Sequence, residues 1–197
     1  MSLTIGNNYV TKPLSYPTAR KVEDNIFQMN TSSEIKEIRP EENVDNLRPD
    51  YLYSVVHCLT NQPLHMKYDD TSTKENPVIQ AIGRDKQGNN FTSKIYVNNV
   101  NPENASAVEM IALSVHLREQ NAPGEEPSSV RRIASRILET EDVHEKQNFK
   151  TQMEKESDQQ KRWGFDKIAD QYKMDLEFCL SWYLSKKDNV IDTLINK

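Results

Sequence analysis

The most regular hydrophobic pattern in this chain lies in NASAVEMIALSVHL, residues 104–117. Its apolar side chains recur at the three- and four-residue spacing of an amphipathic helix. Ser106 and Glu109 have the S-x-x-E spacing of a capping box, in which each side chain satisfies a backbone N–H at the helix start. Pro123 and Gly124 then predict the end of the helix. The apolar stripe comprises Val108, Ile111, Ala112 and Val115.

Residues 77–100 contain two runs of alternating side chains, separated by a polar stretch that includes Gly88. Successive side chains of a strand point to opposite faces, so the pattern predicts a β-hairpin with a polar turn. An isolated hairpin is marginally stable in water, and we expect the helix that follows to cover it. One face of the first arm carries Val78, Gln80 and Ile82, the other Ile79, Ala81 and Gly83, and one face of the second arm carries Phe91, Ser93, Ile95 and Val97.

The run DYLYSVVHCL, residues 50–59, fits two secondary structures. Asp50 is placed to cap a short helix, and Leu52, Val55 and Leu59 would share one side of it. The same run also alternates like a strand, and at this length the period does not decide between them. We slightly favour the helix, followed by a polar loop up to Pro77.

The C-terminal half has helical spacing in two places, with a polar stretch between them. EEPSSVRRIASRIL predicts a helix capped by Ser128 or Ser129. Residues 139–162 alternate glutamate and lysine with few apolar residues, which indicates a solvated helix or a flexible tether. Amphipathic spacing returns over residues 163–185, including Phe165 and Ile168, and a short apolar tail follows.

These elements predict an α+β fold, in which a hairpin or small antiparallel sheet is packed by helices and the C-terminal half is mainly helical. Residues 1–48 hold no period for long and are rich in polar residues and proline, so we interpret them as a flexible polar arm. The expected organisation is this arm, a small α+β domain over residues 49–124 and a helical region over residues 125–197.

Composition narrows the classes of function. Hydrophobic residues make up 36% of the chain, against about 45–50% in an average globular protein. The net charge of −5 disfavours nucleic acid as a partner. No stretch is long and apolar enough for a membrane span, and the N-terminus lacks a secretion signal, so we expect a cytoplasmic protein. The two cysteines, Cys58 and Cys179, do not form a disulfide framework.

Three residues of types that bind metal ions lie close to one another in the sequence: His57, Cys58 and His65. Their spacing matches no structural zinc pattern, and a metal protein or an enzyme that uses these residues stays an alternative. Glu109 and His116 lie two helical turns apart, and the capping box and the apolar stripe explain both as structural residues. No phosphate-binding glycine loop or nucleophile motif occurs, so we expect neither a cofactor nor enzymatic activity.

The arginine cluster Arg131, Arg132 and Arg136 is interpreted as a solvated face with local ion pairs, because glutamates flank it.

Aromatic residues concentrate in the C-terminal half, and aromatic anchors on an amphipathic helix are typical of partner docking. We therefore expect a non-enzymatic protein that acts by protein–protein interaction or self-association through residues 163–185. An alternative is a cargo of a signal-less, flagellar-type export route that uses the N-terminal arm. The candidate partner-binding residues are Trp163, Tyr172, Trp182 and Tyr183.

The block AIGRDKQGNNFTSKIYVNNVNPENASAVEMIALSVHL resembles an element of an uncharacterised clostridial (Firmicutes) protein family. In those proteins a short hairpin leads into an N-A-S-x-x-E-M-x-A-L helix. The resemblance covers about 40 residues, from roughly 80 to 117. It implies a hairpin followed by a helix and a bacterial origin, and it implies no particular activity.

Overall fold

The computed structural model describes residues 33–36, 50–57, 61–121 and 126–195, with backbone only for residues 33–36, 57 and 188–195. Its fold is α+β, as the sequence predicts. The strands are β1 Ser33–Lys36, β2 Tyr53–His57, β3 Gln62–Tyr68, β4 Val78–Arg84, β5 Asn90–Tyr96, β6 Ala105–Ser106 and β7 Lys146–Gln147. The helices are α1 Ala107–Gln120, α2 Ser128–Leu138, α3 Phe149–Arg162 and α4 Asp166–Ile195, and a 3-10 turn spans Val97–Asn99.

Five strands form one antiparallel sheet in the order β1-β5-β4-β3-β2. The predicted hairpin is confirmed as β4 and β5, which pair from Val78 opposite Tyr96 to Arg84 opposite Asn90. Its turn places Gly88 at a φ of 86°, a backbone conformation that glycine adopts without steric cost. The Asp85 carboxylate accepts the backbone N–H groups of Gln87 and Asn89. Strand β1 lies within the segment that the sequence assigns to the polar arm.

The prediction of a helix over residues 50–59 is wrong, because Tyr53–His57 forms the strand β2. It pairs with β3, which lies in the segment that we interpreted as a polar loop. The local sequence of β3, QPLHMKY, alternates too weakly to indicate a strand. Its central position between β2 and β4 supplies the missing stabilisation, and Leu64 and Met66 are buried there.

Helix α1 lies at the centre of the molecule and begins with the predicted capping box. The Ser106 N–H donates to Glu109 Oε2 at 2.7 Å, and the Glu109 N–H donates to Ser106 Oγ at 3.3 Å. Every residue from Ala107 to Leu117 is buried. One continuous hydrophobic core joins α1 to the sheet, to α2 and to α4, and it includes Met66, Ile95, Ile133, Tyr172 and Leu176.

Helix α2 is not capped by Ser128 or Ser129, because Pro127 occupies its N-cap position. Asp175 of α4 takes over this role, accepting from the Ser129 N–H at 2.8 Å and from Ser129 Oγ at 2.6 Å. A carboxylate from another helix therefore satisfies the start of α2.

Residues 139–162 form neither a single solvated helix nor a tether. The first part folds back on α1, where β7 pairs with β6, and α3 begins after Asn148, whose side chain accepts the Thr151 N–H at 2.9 Å. Phe149, Met153 and Ser157 form a buried stripe against α4. A stripe of only three residues is enough to pack a helix that is otherwise polar.

Candidate interaction surfaces

The four predicted partner-binding residues do not form one surface. Trp163 lies in the turn between α3 and α4 and is 59% exposed. Tyr172 is 3% exposed and belongs to the core. Trp182 and Tyr183 lie on the C-terminal half of α4, partly buried. Trp182 follows the start of α4 by 16 residues, which corresponds to about 24 Å along the helix axis, so the structure separates it from Trp163.

Trp182 packs in an aromatic cluster that joins α4 to α1 and β3. Its ring centroid lies 5.1 Å from that of His116 with an interplanar angle of 63°. His116 Nδ1 lies 2.9 Å from the Tyr68 hydroxyl, within hydrogen-bond distance. On the other side, Lys186 Nζ lies 4.1 Å from the Trp182 ring centroid. Ring packing on His116 anchors this part of α4 to α1, and the cation–π contact joins two residues of α4 itself.

The electrostatics of the cluster favour an anchor over acid–base chemistry. Burial, assisted by the Lys186 charge, lowers the pKa of His116 to about 4. Burial also raises the pKa of the Tyr68 hydroxyl above its usual range. Near neutral pH the imidazole is therefore uncharged and the phenol protonated. Acid–base catalysis works best when a pKa lies near the operating pH, and neither group meets that condition.

Beyond this cluster, α4 extends past the part of the core that it packs against. Cys179 is its last fully buried residue whose side chain the structure describes, and the helix continues to Ile195. Leu184 is 57% exposed, and Lys187 Nζ lies 5.4 Å from the Tyr183 ring centroid. We call this region the C-terminal α4 surface: Trp182, Tyr183, Leu184, Lys186 and Lys187.

The turn at the other end of α4 carries a second set of exposed apolar side chains, which we call the turn triad: Trp163, Phe165 and Ile168. Phe165 is 52% and Ile168 41% exposed. The sequence places both on the apolar stripe of α4, and sequence reasoning missed their exposure. The stripe continues toward the N-terminus beyond the point where α3 covers it. Gly164, which interrupts the helical pattern, is the signal that could have located this end.

The group of His57, Cys58 and His65 is not assembled by the residues that the structure describes. His65 is 1% exposed, stacks on Tyr51 with ring centroids 4.9 Å apart, and has Nδ1 3.0 Å from Ser54 Oγ. Ser54 lies opposite His65 in the strand pair, whereas His57 lies opposite Gln62. The side chain of His57 lies outside the described residues. Cys58 lies outside the described residues, as does the N-terminal segment on which the export alternative depends.

Two structural interpretations are confirmed. Glu109 forms the capping box and also an ion pair with Lys146. Arg131 binds Glu126 through two hydrogen bonds of 2.9 Å, which is the local ion pairing expected for the arginine cluster.

A pocket beside β3 and β5 is lined by Pro63, Leu64, Arg84, Phe91, Val108 and Leu138 among others, and has a cavity volume of about 10 Å³. That volume is below the roughly 300–1,000 Å³ of common small-molecule sites. Within the described part of the chain, no helix is long and apolar enough to cross a membrane.

No protein-family model, curated protein or solved structure matches this chain. The resemblance to the clostridial proteins stays a prediction, and the function is argued from the surfaces described above.

Proposed function

We propose that this protein is non-enzymatic and acts by protein–protein interaction through the C-terminal half of α4. We place the interaction in the bacterial cytoplasm, following the resemblance and the composition. The observation that carries the proposal is that α4, after its buried Cys179, presents Leu184 57% exposed beside Lys186 and Lys187. A helix with an exposed apolar side can place that side in a groove of a partner or against a second helix.

The anchoring of Trp182 supports this function. Its contact with His116 of α1 holds the helix in place before any partner arrives. A preformed docking element loses less conformational entropy on binding than a disordered one. The neighbouring Lys186 and Lys187 give the surface a positive charge that favours a partner with acidic residues around an apolar groove.

The test compares wild type with Leu184→Glu, using size-exclusion chromatography with light scattering and a quantitative pull-down from host lysate. We expect wild type to form a defined oligomer or a stoichiometric complex, and Leu184→Glu to weaken it at least about tenfold, because a charge would enter an apolar contact. Met174→Glu is the matched control, since Met174 is 63% exposed on the same helix and lies outside the C-terminal α4 surface. A wild type that is monomeric and captures no partner overturns the proposal, and so does a complex that Leu184→Glu leaves intact.

A further inference from the structure

The turn between α3 and α4 has the most concentrated exposure of apolar side chains in the described part of the chain. Every residue from 161 to 168 is exposed. The turn triad contributes two aromatic rings and one isoleucine within this short segment, exposed by 59%, 52% and 41%. Single apolar residues on a surface are common, whereas a contiguous group of large ones marks a contact site.

Basic residues surround the triad. We call Lys161, Arg162 and Lys167 the turn cations. Asp166 is the one acidic residue between positions 161 and 168, so this segment is positive within a chain whose net charge is −5. Among the described residues, none of the three turn cations forms an ion pair with an acidic side chain. Their charges are therefore available to an external anion.

The turn is ordered by its own backbone. The Gly164 N–H donates to Lys161 O at 3.0 Å and the Phe165 N–H donates to Gln160 O at 2.9 Å, which are the paired bonds of a Schellman motif at a helix C-terminus. Gly164 has the positive φ of 81° that the motif requires. Phe165 O then accepts the N–H groups of Ile168 and Ala169 at the start of α4. The triad is thus held outward by a defined loop rather than by a flexible one.

The contact between the two helices explains why the triad stays uncovered. Ser157 Oγ donates to the Ala169 backbone carbonyl at 2.8 Å, and Ser157 is the last buried residue of α3. Beyond this close approach, residues 158–162 of α3 are all polar, so α3 has no apolar side chain there to cover the stripe of α4 near Ile168. The apex of the helical hairpin is consequently convex, apolar at its tip and basic around it.

We propose that this apex docks on an anionic lipid bilayer, with the turn triad in the interfacial region and the turn cations at the headgroups. Tryptophan and phenylalanine beside lysine and arginine are the residues that favour the membrane interface. An anionic surface attracts basic residues held close to it. A convex apex also suits a lipid surface, which adapts to its shape, better than a folded partner, which would have to supply a matching pocket. This inference goes beyond the protein–protein interaction proposed above and uses the opposite end of α4.

The experiment measures co-sedimentation of the full chain with vesicles of phosphatidylcholine alone and of phosphatidylcholine mixed with phosphatidylserine. We expect binding to the mixed vesicles only, and weaker binding as salt is raised. Replacing the turn cations with glutamate (Lys161→Glu, Arg162→Glu, Lys167→Glu) should weaken binding at least about tenfold. The double variant Phe165→Ser, Ile168→Ser should weaken it comparably. The matched control Met174→Ser removes an apolar residue of at least equal exposure elsewhere on α4 and should bind as wild type does.

The two tryptophans allow a site-specific readout. In Trp182→Phe, Trp163 is the sole tryptophan, and its fluorescence should shift to the blue and be quenched by brominated lipids in the mixed vesicles. In Trp163→Phe, the remaining Trp182 should show neither change. Circular dichroism and urea unfolding of each variant verify that it is folded.

Three results would overturn the inference. The first is equal binding, or no binding, to the two kinds of vesicle. The second is binding that the turn variants leave unchanged. The third is self-association in the absence of lipid that the turn variants abolish, because the apex would then be occupied by a second copy of the chain. Loss of lipid binding leaves the oligomer or partner complex of the C-terminal α4 surface intact, so the two proposals fail separately.

Discussion

Helix α1 is enclosed on all sides from Ala107 to Leu117, whereas α4 buries one side and exposes large apolar residues at Ile168, Met174 and Leu184. Enclosure forces the polar residues of α1 into specific internal contacts. Glu109 binds Ser106 and Lys146, Ser114 Oγ donates to the Pro127 carbonyl at 3.1 Å, and His116 meets Tyr68. The exposed side of α4 does not need internal partners in this way, so its large apolar residues can contact other molecules.

Asp175 is a polar residue of α4 that is buried and held by specific hydrogen bonds, as the polar residues of α1 are. It is 4% exposed and accepts three hydrogen bonds, two from Ser129 and one from Gln171. A buried carboxylate is tolerated only when it is hydrogen-bonded in this way. The contrast with the exposed Asp166 and Asp170 shows that burial, rather than membership of the helix, decides the role of a residue on α4.

The largest effect expected from this comparison is on stability. Ile111→Ala in α1 should lower the free energy of unfolding by about 3–4 kcal/mol, because Ile111 is fully buried and its truncation leaves a cavity. Met174→Ala in α4 should change it by less than about 0.5 kcal/mol, because most of the Met174 side chain is already in water. Urea unfolding followed by circular dichroism measures both.

Similar losses for the two variants would contradict the one-sided packing of α4. They would mean that Met174 is covered, as in a stable oligomer, and repeating the measurement over a range of protein concentrations would reveal this case.

How far the sequence predicted these features depended on whether their cause is local. The capping box at Ser106 and the hairpin turn at Gly88 depend on neighbours a few residues apart, and both were predicted. Strand β3 depends on strands on either side of it, and a local pattern as weak as QPLHMKY did not indicate them. The cap that Asp175 supplies to α2 joins residues 46 positions apart, and nothing in the sequence near Ser129 points to it.

The candidate surfaces also divide into features with a local cause, which the sequence predicted, and features that depend on packing, which it did not. The sequence located the aromatic residues of the C-terminal half. It could not separate the buried Tyr172 from the exposed Trp163, because both lie in residues 163–185, which were predicted as one amphipathic segment. Exposure depends on where the neighbouring helix ends, which is a property of the packed structure.

The second-largest expected effect is a loss of folding stability at acidic pH. His116 is 4% exposed, and its pKa is lowered to about 4 by burial and by Lys186, while Glu119 opposes the shift. The unfolded chain binds a proton at this residue near pH 6.5, and the folded protein does not until near pH 4, so stability falls as the pH decreases through this window. Lowering the pH from 7 to 5 should cost about 2 kcal/mol from His116 alone. His144, whose pKa burial also lowers, adds to the loss.

The variant His116→Phe keeps an aromatic ring against Trp182 and cannot titrate. Its unfolding free energy should fall by about 2 kcal/mol less than that of wild type between pH 7 and 5. Urea unfolding at a series of pH values gives the difference. Equal pH dependence in the two proteins would show that the imidazole is accessible to solvent, and the aromatic cluster would then not anchor α4 as described.

The smallest effect tests the turn that begins α4. Gly164 has a φ of 81°, and a Cβ added there would meet no atom within 4 Å. Gly164→Ala should therefore cost only the backbone strain of a left-handed residue, about 1–2 kcal/mol, and Gly164→Asn should cost less because asparagine tolerates this conformation. Gly88 in the hairpin turn has a φ of 86° and equally open surroundings, so Gly88→Ala is the matched control with a similar loss. Thermal unfolding compares the three variants, and hydrogen exchange should show faster exchange of the Phe165 amide in Gly164→Ala with protection in α1 unchanged. A much larger loss for Gly164→Ala than for Gly88→Ala would mean that the turn supports the core, and the separation between an enclosed α1 and an α4 that buries only one side would no longer hold.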